Sequence, residues 1–92
     1  MIRYVESEWF LQTPQTLKQK RAILKRVLTR AGQKFNISIA EIGFQDKWQR
    51  ALIGFAVVSE SHNQAEKMAD NVLVFLDSFP EWERGKTTME SL

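Results

Sequence analysis

The sequence predicts a single α+β domain, because three of its stretches have strand patterns and two have helix patterns. Residues 2–11 alternate between apolar and polar side chains, which is typical of a half-buried β-strand. Apolar runs at 36–44 and 48–58 predict two further strands. Residues 16–35 and 61–79 carry apolar side chains at helical spacing. The chain therefore begins with the order strand, helix, strand, strand, helix.

The first strand has an apolar face and an acidic face. The apolar face holds Val5, Trp9 and Leu11. Ser7 interrupts that row and weakens it, while Glu6 and Glu8 alternate with it on the opposite face. We therefore expect the apolar face to meet the core of the domain.

The first helix is predicted from a capping pair and an apolar stripe. Thr16 and Gln19 have the spacing of a capping box, which satisfies free amides at a helix start. On a helical wheel the apolar side chains fall within one narrow stripe: Leu17, Leu24, Leu28, Ala31 and Phe35. The helix should bury this stripe against the sheet.

The second and third strands should form a hairpin around a short polar turn at 45–47. In the second strand, apolar side chains occur at both parities, as Ile39 and Ile42 illustrate, which predicts a bulge or a twist. Residues 51–58 are almost continuously apolar, which predicts that the third strand lies in the middle of the sheet.

A second capped helix and a last strand complete the domain. Ser61 and Gln64 repeat the capping spacing, and Pro80 prevents the helix from continuing. Residues 81–92 are short and polar and are expected to form an edge strand. The complete order predicts a ferredoxin-like βαββαβ fold over residues 1–92, a two-layer sandwich with two helices on one face of a four-stranded antiparallel sheet. The first and third strands should be central.

Composition narrows the class of protein. Hydrophobic residues make up 43% and charged residues 26% of the 92 residues, as in globular proteins. The absence of cysteine excludes disulfides and thiolate metal sites and favours the cytoplasm. A carboxylate, Glu6, precedes any apolar run, so we expect no signal peptide. The longest apolar run, 51–58, is too short to span a membrane.

Positive charge is concentrated in the first part of the chain. Residues 1–58 hold ten Lys/Arg against four Asp/Glu, whereas residues 59–92 hold three against seven. No acidic residue occurs between Glu8 and Glu41. This asymmetry favours an anionic partner.

The bases of the first helix fall into two groups around its apolar stripe. These are Lys18, Arg21 and Lys25 on one side, and Lys20, Arg26, Arg30 and Lys34 over the other side and the exposed back. We predict that most of these bases, with the start of the third strand, contact RNA. The predicted residues are Lys18, Arg21, Lys25, Arg26, Arg30, Lys34, Lys47, Trp48 and Arg50. The alternative is that the bases only keep the protein soluble, although soluble surfaces usually mix both signs.

Trp48 stands beside the hairpin turn, where two interpretations remain open. Together with Arg50 and nearby amides it could stack on a nucleobase and form hydrogen bonds to it. The favoured alternative is a polar network that fixes the hairpin register, with Trp48 closing the end of the core.

The face of the sheet without helices is a weaker candidate for RNA binding. Tyr4 and Phe10 would share it with Glu6 and Glu8, whose carboxylates repel phosphate. Two copies of the protein could instead associate through this face, which would explain the mixed parity of the second strand. A homo-oligomer is therefore a possible assembly.

No catalytic or metal-binding set is recognisable. Glu6 and Glu8 lack the further oxygen ligands that a cation site needs, and His62 is the sole histidine. The four glycines are isolated, so no phosphate-binding loop is present. We expect a protein that is not an enzyme, with no cofactor, no metal, no membrane partner and no small-molecule substrate.

Three segments resemble a known family. They are Thr16-Leu17-Lys18-Gln19-Lys20-Arg21, Phe35-Asn36-Ile37-Ser38-Ile39-Ala40-Glu41 and Gln45-Asp46-Lys47-Trp48-Gln49-Arg50-Ala51. Together they resemble the YlxP-like proteins, small bacterial domains of unknown function. The resemblance implies a ferredoxin-like fold and a cytoplasmic setting, and a gene neighbourhood of translation and ribosome-maturation proteins. It brings no catalytic residues. Ser7 and Pro14-Gln15 depart from the family pattern.

Two functional hypotheses follow. The first is a non-enzymatic protein that binds structured RNA or a ribosomal subunit through its first helix, in ribosome maturation or translation. The alternative is a protein-interaction module that associates with itself through its sheet and binds an acidic protein surface with the basic helix.

Overall fold

The computed structural model describes all residues from Met1 to Leu92 and contains four strands and two helices. They are β1 (Ile2–Leu11), α1 (Leu17–Lys34), β2 (Ile37–Gly43), β3 (Arg50–Val58), α2 (His62–Asp77) and β4 (Trp82–Ser91). The predicted order is confirmed. The largest difference at any boundary is two residues, at the start of β3 and the end of α2.

The strands form one antiparallel sheet in the order β2-β3-β1-β4, so the predicted central strands are confirmed. Val5 on β1 and Ile39 on β2 both lie opposite Phe55 on β3. These three side chains belong to the face that both helices cover, and a single cluster of 17 buried apolar residues fills the space between the layers. The other face of the sheet is open.

A pair of stacked indoles lies in this core. The rings of Trp9 and Trp82 are 4.1 Å apart between centroids and nearly parallel. Trp82 Nε1 donates a hydrogen bond to Leu76 O at 2.7 Å, and Trp9 Nε1 donates to Ser7 Oγ at 2.8 Å. Ser7, which was expected to weaken the apolar face, is fully buried, and its hydroxyl has a partner there. A buried indole N–H needs an acceptor, and this serine provides it.

Both predicted helix starts are confirmed. Thr16 Oγ1 accepts a hydrogen bond from the Gln19 amide at 3.1 Å, and Ser61 Oγ accepts one from the Gln64 amide at 3.2 Å. The irregularity predicted in the second strand is also present, because the pairing of β2 with β3 shifts register between Glu41 and Gly43. The bulge changes the direction of the chain before it enters the loop between β2 and β3.

Lys20 is the largest departure from the pattern predicted for α1. The helical wheel assigned it to the exposed side, but only 1% of its side chain is exposed. Its Nζ lies 2.8 Å from Glu41 Oε2 and donates a hydrogen bond to Phe44 O at 2.7 Å. Lys20 precedes Leu24 by four positions, so it shares the buried face, and its aliphatic stem continues the apolar stripe. The ammonium thereby attaches the start of α1 to the end of β2.

Replacing Lys20 with Met tests this attachment. The variant keeps the stem but leaves the Glu41 carboxylate without its cation and the Phe44 carbonyl without its donor, so we expect a loss of about 3 kcal/mol in the free energy of unfolding. Urea denaturation followed by far-UV circular dichroism measures it. Lys18→Met, on the exposed side of the same helix, should change stability by less than about 0.5 kcal/mol. Equal effects of the two substitutions would contradict the assignment.

Candidate nucleic-acid interface

One side of α1 carries three bases without acidic neighbours. Lys18, Arg21 and Lys25, hereafter the basic flank, follow one another at intervals of three and four residues, which places them on one side of the helix. All three are exposed. No carboxylate lies within 4.0 Å of them, and the first turn of α1 contains no acidic residue. Their positive charge is therefore directed to solvent.

The opposite side of α1 faces α2, and two of its exposed bases have partners in the protein. Lys34 Nζ lies 5.4 Å from the centroid of the Phe75 ring, a cation–π contact with α2. Arg26 forms an ion pair with Glu81, which follows α2. Arg30 is exposed and, like the basic flank, has no carboxylate within 4.0 Å. The structure thus distinguishes the basic flank from Lys34 and Arg26 but not from Arg30.

The loop between β2 and β3 is held to the first turns of α1 and to the end of β1. Lys20, in the same first turns of α1 as Lys18 and Arg21, contacts Phe44 O at the beginning of this loop. At the end of the loop, Gln49 Nε2 donates to Gln12 O at 3.3 Å, and Gln49 O accepts from the Leu11 amide at 2.9 Å. Polar contacts therefore fix the loop against the end of β1, as predicted for the hairpin.

A concave surface of about 730 Å³ lies at this end of the sheet, hereafter the hairpin-end cleft. Its lining comprises Phe10, Leu11, Gln12, Asp46, Lys47, Trp48, Gln49 and Arg50. Trp48 is 52% exposed, so the expectation that it closes the end of the core is wrong. The core is already closed at that end by the stacked pair Trp9 and Trp82, which leaves no room for a third indole.

Arg50 lines the cleft, and its guanidinium lies against two aromatic rings and one carboxylate. Its guanidinium lies 4.1 Å from the centroid of the Phe44 ring and 5.7 Å from that of Phe10. One terminal nitrogen lies 3.3 Å from Glu8 Oε1, while the buried Nε has no hydrogen-bond partner in the protein. Arg50 therefore contributes shape and a fixed cation, whereas Lys47, which forms no ion pair, contributes a mobile one.

The open face of the sheet is negative around its centre. Tyr4 donates a hydrogen bond to Glu6 Oε1 at 3.0 Å. Burial raises the pKa of the Tyr4 hydroxyl, and the hydrogen bond to Glu6 and the charges of Glu6 and Glu90 raise it further. The same carboxylates repel phosphate, which agrees with the expectation that RNA does not bind this face.

Tyr4 is the sole tyrosine, so its ionisation can be followed directly. Because the folded-state pKa is raised, the stability that the hydroxyl contributes is present below about pH 10 and is lost as the pH rises through the folded value. Absorbance at 295 nm should give an apparent pKa above 10.0. Glu6→Gln should lower that pKa, because it removes a negative charge beside the phenolate. A wild-type pKa at or below 10.0 would contradict this environment.

Three further observations concern metal, histidine and membrane sites. No group of three or more His, Cys, Asp or Glu side chains is arranged so that it could hold a metal ion. His62, the first residue of α2, is exposed. Neither helix combines the length and the apolar character needed to cross a membrane.

Comparisons with known proteins agree with the fold and name no activity. Residues 2–89 match the model of a family described as "Protein of unknown function (DUF503)". Over 90 residues the chain is 53% identical to the uncharacterized protein YlxP of Bacillus subtilis (strain 168), with 98% of each protein covered. It also resembles the solution NMR structure of a de novo designed protein with ferredoxin fold, at a TM-score of 0.59 and 14% identity, covering 100% of this chain and 87% of the design. At that identity the likeness concerns the fold alone, and it confirms the predicted ferredoxin-like architecture.

Proposed function

The chain belongs to the DUF503 family, as its YlxP-like segments predicted, and we propose that within this family it is a non-enzymatic cytoplasmic protein that binds structured RNA or a ribosomal subunit. The observation that supports the proposal most strongly is the basic flank. Lys18, Arg21 and Lys25 are exposed, lack carboxylate partners and lie on one side of a rigid helix. Such an arrangement suits phosphate oxygens, which accept hydrogen bonds from several bases at once.

The dimensions of the flank suit a nucleic-acid backbone. Lys18 and Lys25 are seven positions apart, which is about 10 Å along the helix axis. Their long side chains extend this reach, so the flank can contact several phosphates of one strand. We place a further phosphate contact on Lys47, which is exposed in the loop between β2 and β3. With about three to five phosphates neutralised, the logarithm of the binding constant should fall with the logarithm of salt concentration at a slope of roughly −2 to −4.

A pair of matched double variants tests the role of the flank. Lys18→Glu with Lys25→Glu reverses two charges of the flank, whereas Lys67→Glu with Lys86→Glu reverses two exposed lysines that also form no ion pair. Both variants change the net charge equally. We expect the first to weaken binding to purified ribosomal subunits or folded ribosomal RNA at least about tenfold at 0.1 M salt and to reduce the salt slope. The second should retain most of the affinity.

Fluorescence anisotropy over a salt series measures both quantities. Equal losses in the two variants would assign binding to net charge alone and would contradict a specific flank. Absence of binding by the wild-type protein even at low salt would exclude the proposed function.

Self-association through the sheet is the second candidate, and the packing around Gly54 favours it. Gly54 is buried on the open face, where a Cβ would lie 2.9 Å from the Tyr4 hydroxyl and 3.0 Å from Ile42 Cδ1. Ile42 therefore lies flat across β3 while 44% of its surface remains exposed, and Val58 and Phe10 are exposed on the same face. These apolar side chains lie beside the acidic centre at Glu6, which is paired with Gly54, and together they suit contact with a second copy.

Analytical ultracentrifugation tests this candidate. If two sheets associate, the apparent mass should rise towards twice 10.7 kDa as concentration increases, and Ile42→Asp should return it to the monomer value. Val74→Asp, at an equally apolar but remote exposed position on α2, should have no effect. A wild-type protein that stays monomeric at millimolar concentration would exclude the candidate.

A further inference from the structure

The hairpin-end cleft carries an aromatic side chain that the fold does not use. The chain has three tryptophans, of which Trp9 and Trp82 are buried and stacked on each other. Trp48 is 52% exposed, and its indole nitrogen forms no hydrogen bond within the protein. About half of this indole therefore remains exposed to solvent, where its aromatic surface is open to a binding partner.

The surroundings of Trp48 specify the chemistry of an occupant. The side chains of Gln12, Asp46 and Lys47 line the cleft and form no hydrogen bond or ion pair within the protein. They offer an amide, a carboxylate acceptor and a cation beside an exposed aromatic face. An occupant that suits all of them is planar, carries polar groups on its edge and is attached to negative charge.

We propose that the hairpin-end cleft holds one unpaired nucleobase of an RNA strand, stacked on Trp48, while the neighbouring phosphates contact Lys47 and the basic flank. This inference rests on the proposed RNA-binding function and specifies which part of the RNA is recognised. Base stacking on aromatic side chains is the usual way in which proteins hold unpaired bases. Asp46 accepts a hydrogen bond from an exocyclic amino group of the base, as carboxylates do in base recognition.

Lys20 attaches the first turns of α1 to Phe44, where the loop that carries Lys47 and Trp48 begins. Within the proposal, the phosphates nearest the base contact Lys47, and those further along the strand contact the basic flank. Paired bases are stacked within their own helix and cannot enter the cleft, so the cleft selects loops, bulges and single-stranded ends.

Tryptophan fluorescence tests the proposal, because Trp48 is the one indole exposed to solvent. The probes are an RNA hairpin with an unpaired loop and a blunt RNA duplex with the same number of phosphates. We expect the hairpin to quench the emission and to protect it from acrylamide, whereas the duplex should bind without either effect. Trp48→Ala should weaken hairpin binding by about 5- to 100-fold, leave duplex binding unchanged and keep the salt slope of the wild-type protein.

Further variants and probes distinguish a failure of the base site from a failure of RNA binding as a whole. Trp48→Phe retains an aromatic face and should recover part of the hairpin affinity, and circular dichroism confirms that each variant is folded. Unchanged hairpin binding by folded Trp48→Ala would overturn the base site while leaving RNA binding by the basic flank intact. Failure of the wild-type protein to bind either RNA would overturn both. Saturation by a free mononucleotide as tightly as by the hairpin would also overturn the proposal, since the site would then take a nucleotide and not an RNA strand.

Discussion

The ammonium of Lys20 connects the parts of the molecule on which the proposed function depends. A lysine that is 1% exposed loses most of its hydration, and the Glu41 carboxylate and the Phe44 carbonyl replace that water. Both acceptors lie at the bulged end of β2, so the contact determines how α1 meets the sheet. It also fixes Phe44, whose backbone has a φ of 57° in the left-handed region, beneath the guanidinium of Arg50. The helix that carries the basic flank and the residue on which the Arg50 guanidinium packs therefore share one polar contact, made by Lys20.

The sequence predicted every strand and helix, because each is defined by local signals: alternation, helical spacing and capping hydroxyls. It could not predict the contacts that depend on what meets in three dimensions. Lys20 precedes Leu24 by four positions, as a core residue of the same helix face would. This spacing was the signal that Lys20 could be buried, but the residue was placed with the exposed bases because it is charged. Ser7 was expected to weaken the apolar face of the first strand. Its hydrogen bond with the Trp9 indole, in which it is the acceptor, becomes visible only in the folded structure. Trp48 was expected in the core because nothing local indicates that another indole pair already fills that end.

Part of the candidate site could be predicted from local sequence signals, and part depended on tertiary contacts. The basic flank follows from helical periodicity, and the structure places its three residues together without acidic partners. Arg26, Lys34 and Arg50 belong to the same predicted set, but they contact Glu81, Phe75 and Glu8 within the protein. The partner that a long side chain contacts depends on the tertiary structure. The open face of the sheet concentrates negative charge near Tyr4, so an anionic partner is expected away from this centre, on the basic flank and at the hairpin end.

Titration of the ¹⁵N-labelled protein with a folded RNA, followed by its amide chemical shifts, tests whether RNA binds at the basic flank and the hairpin-end cleft. We expect the largest shifts on the first turns of α1 and on residues 44–50, with β4 and the end of α2 unaffected. Both regions should respond at the same RNA concentration, because Lys20 holds them together. Shifts centred on the open face of the sheet, around Glu6 and Thr88, would contradict RNA binding at the basic flank and the hairpin-end cleft.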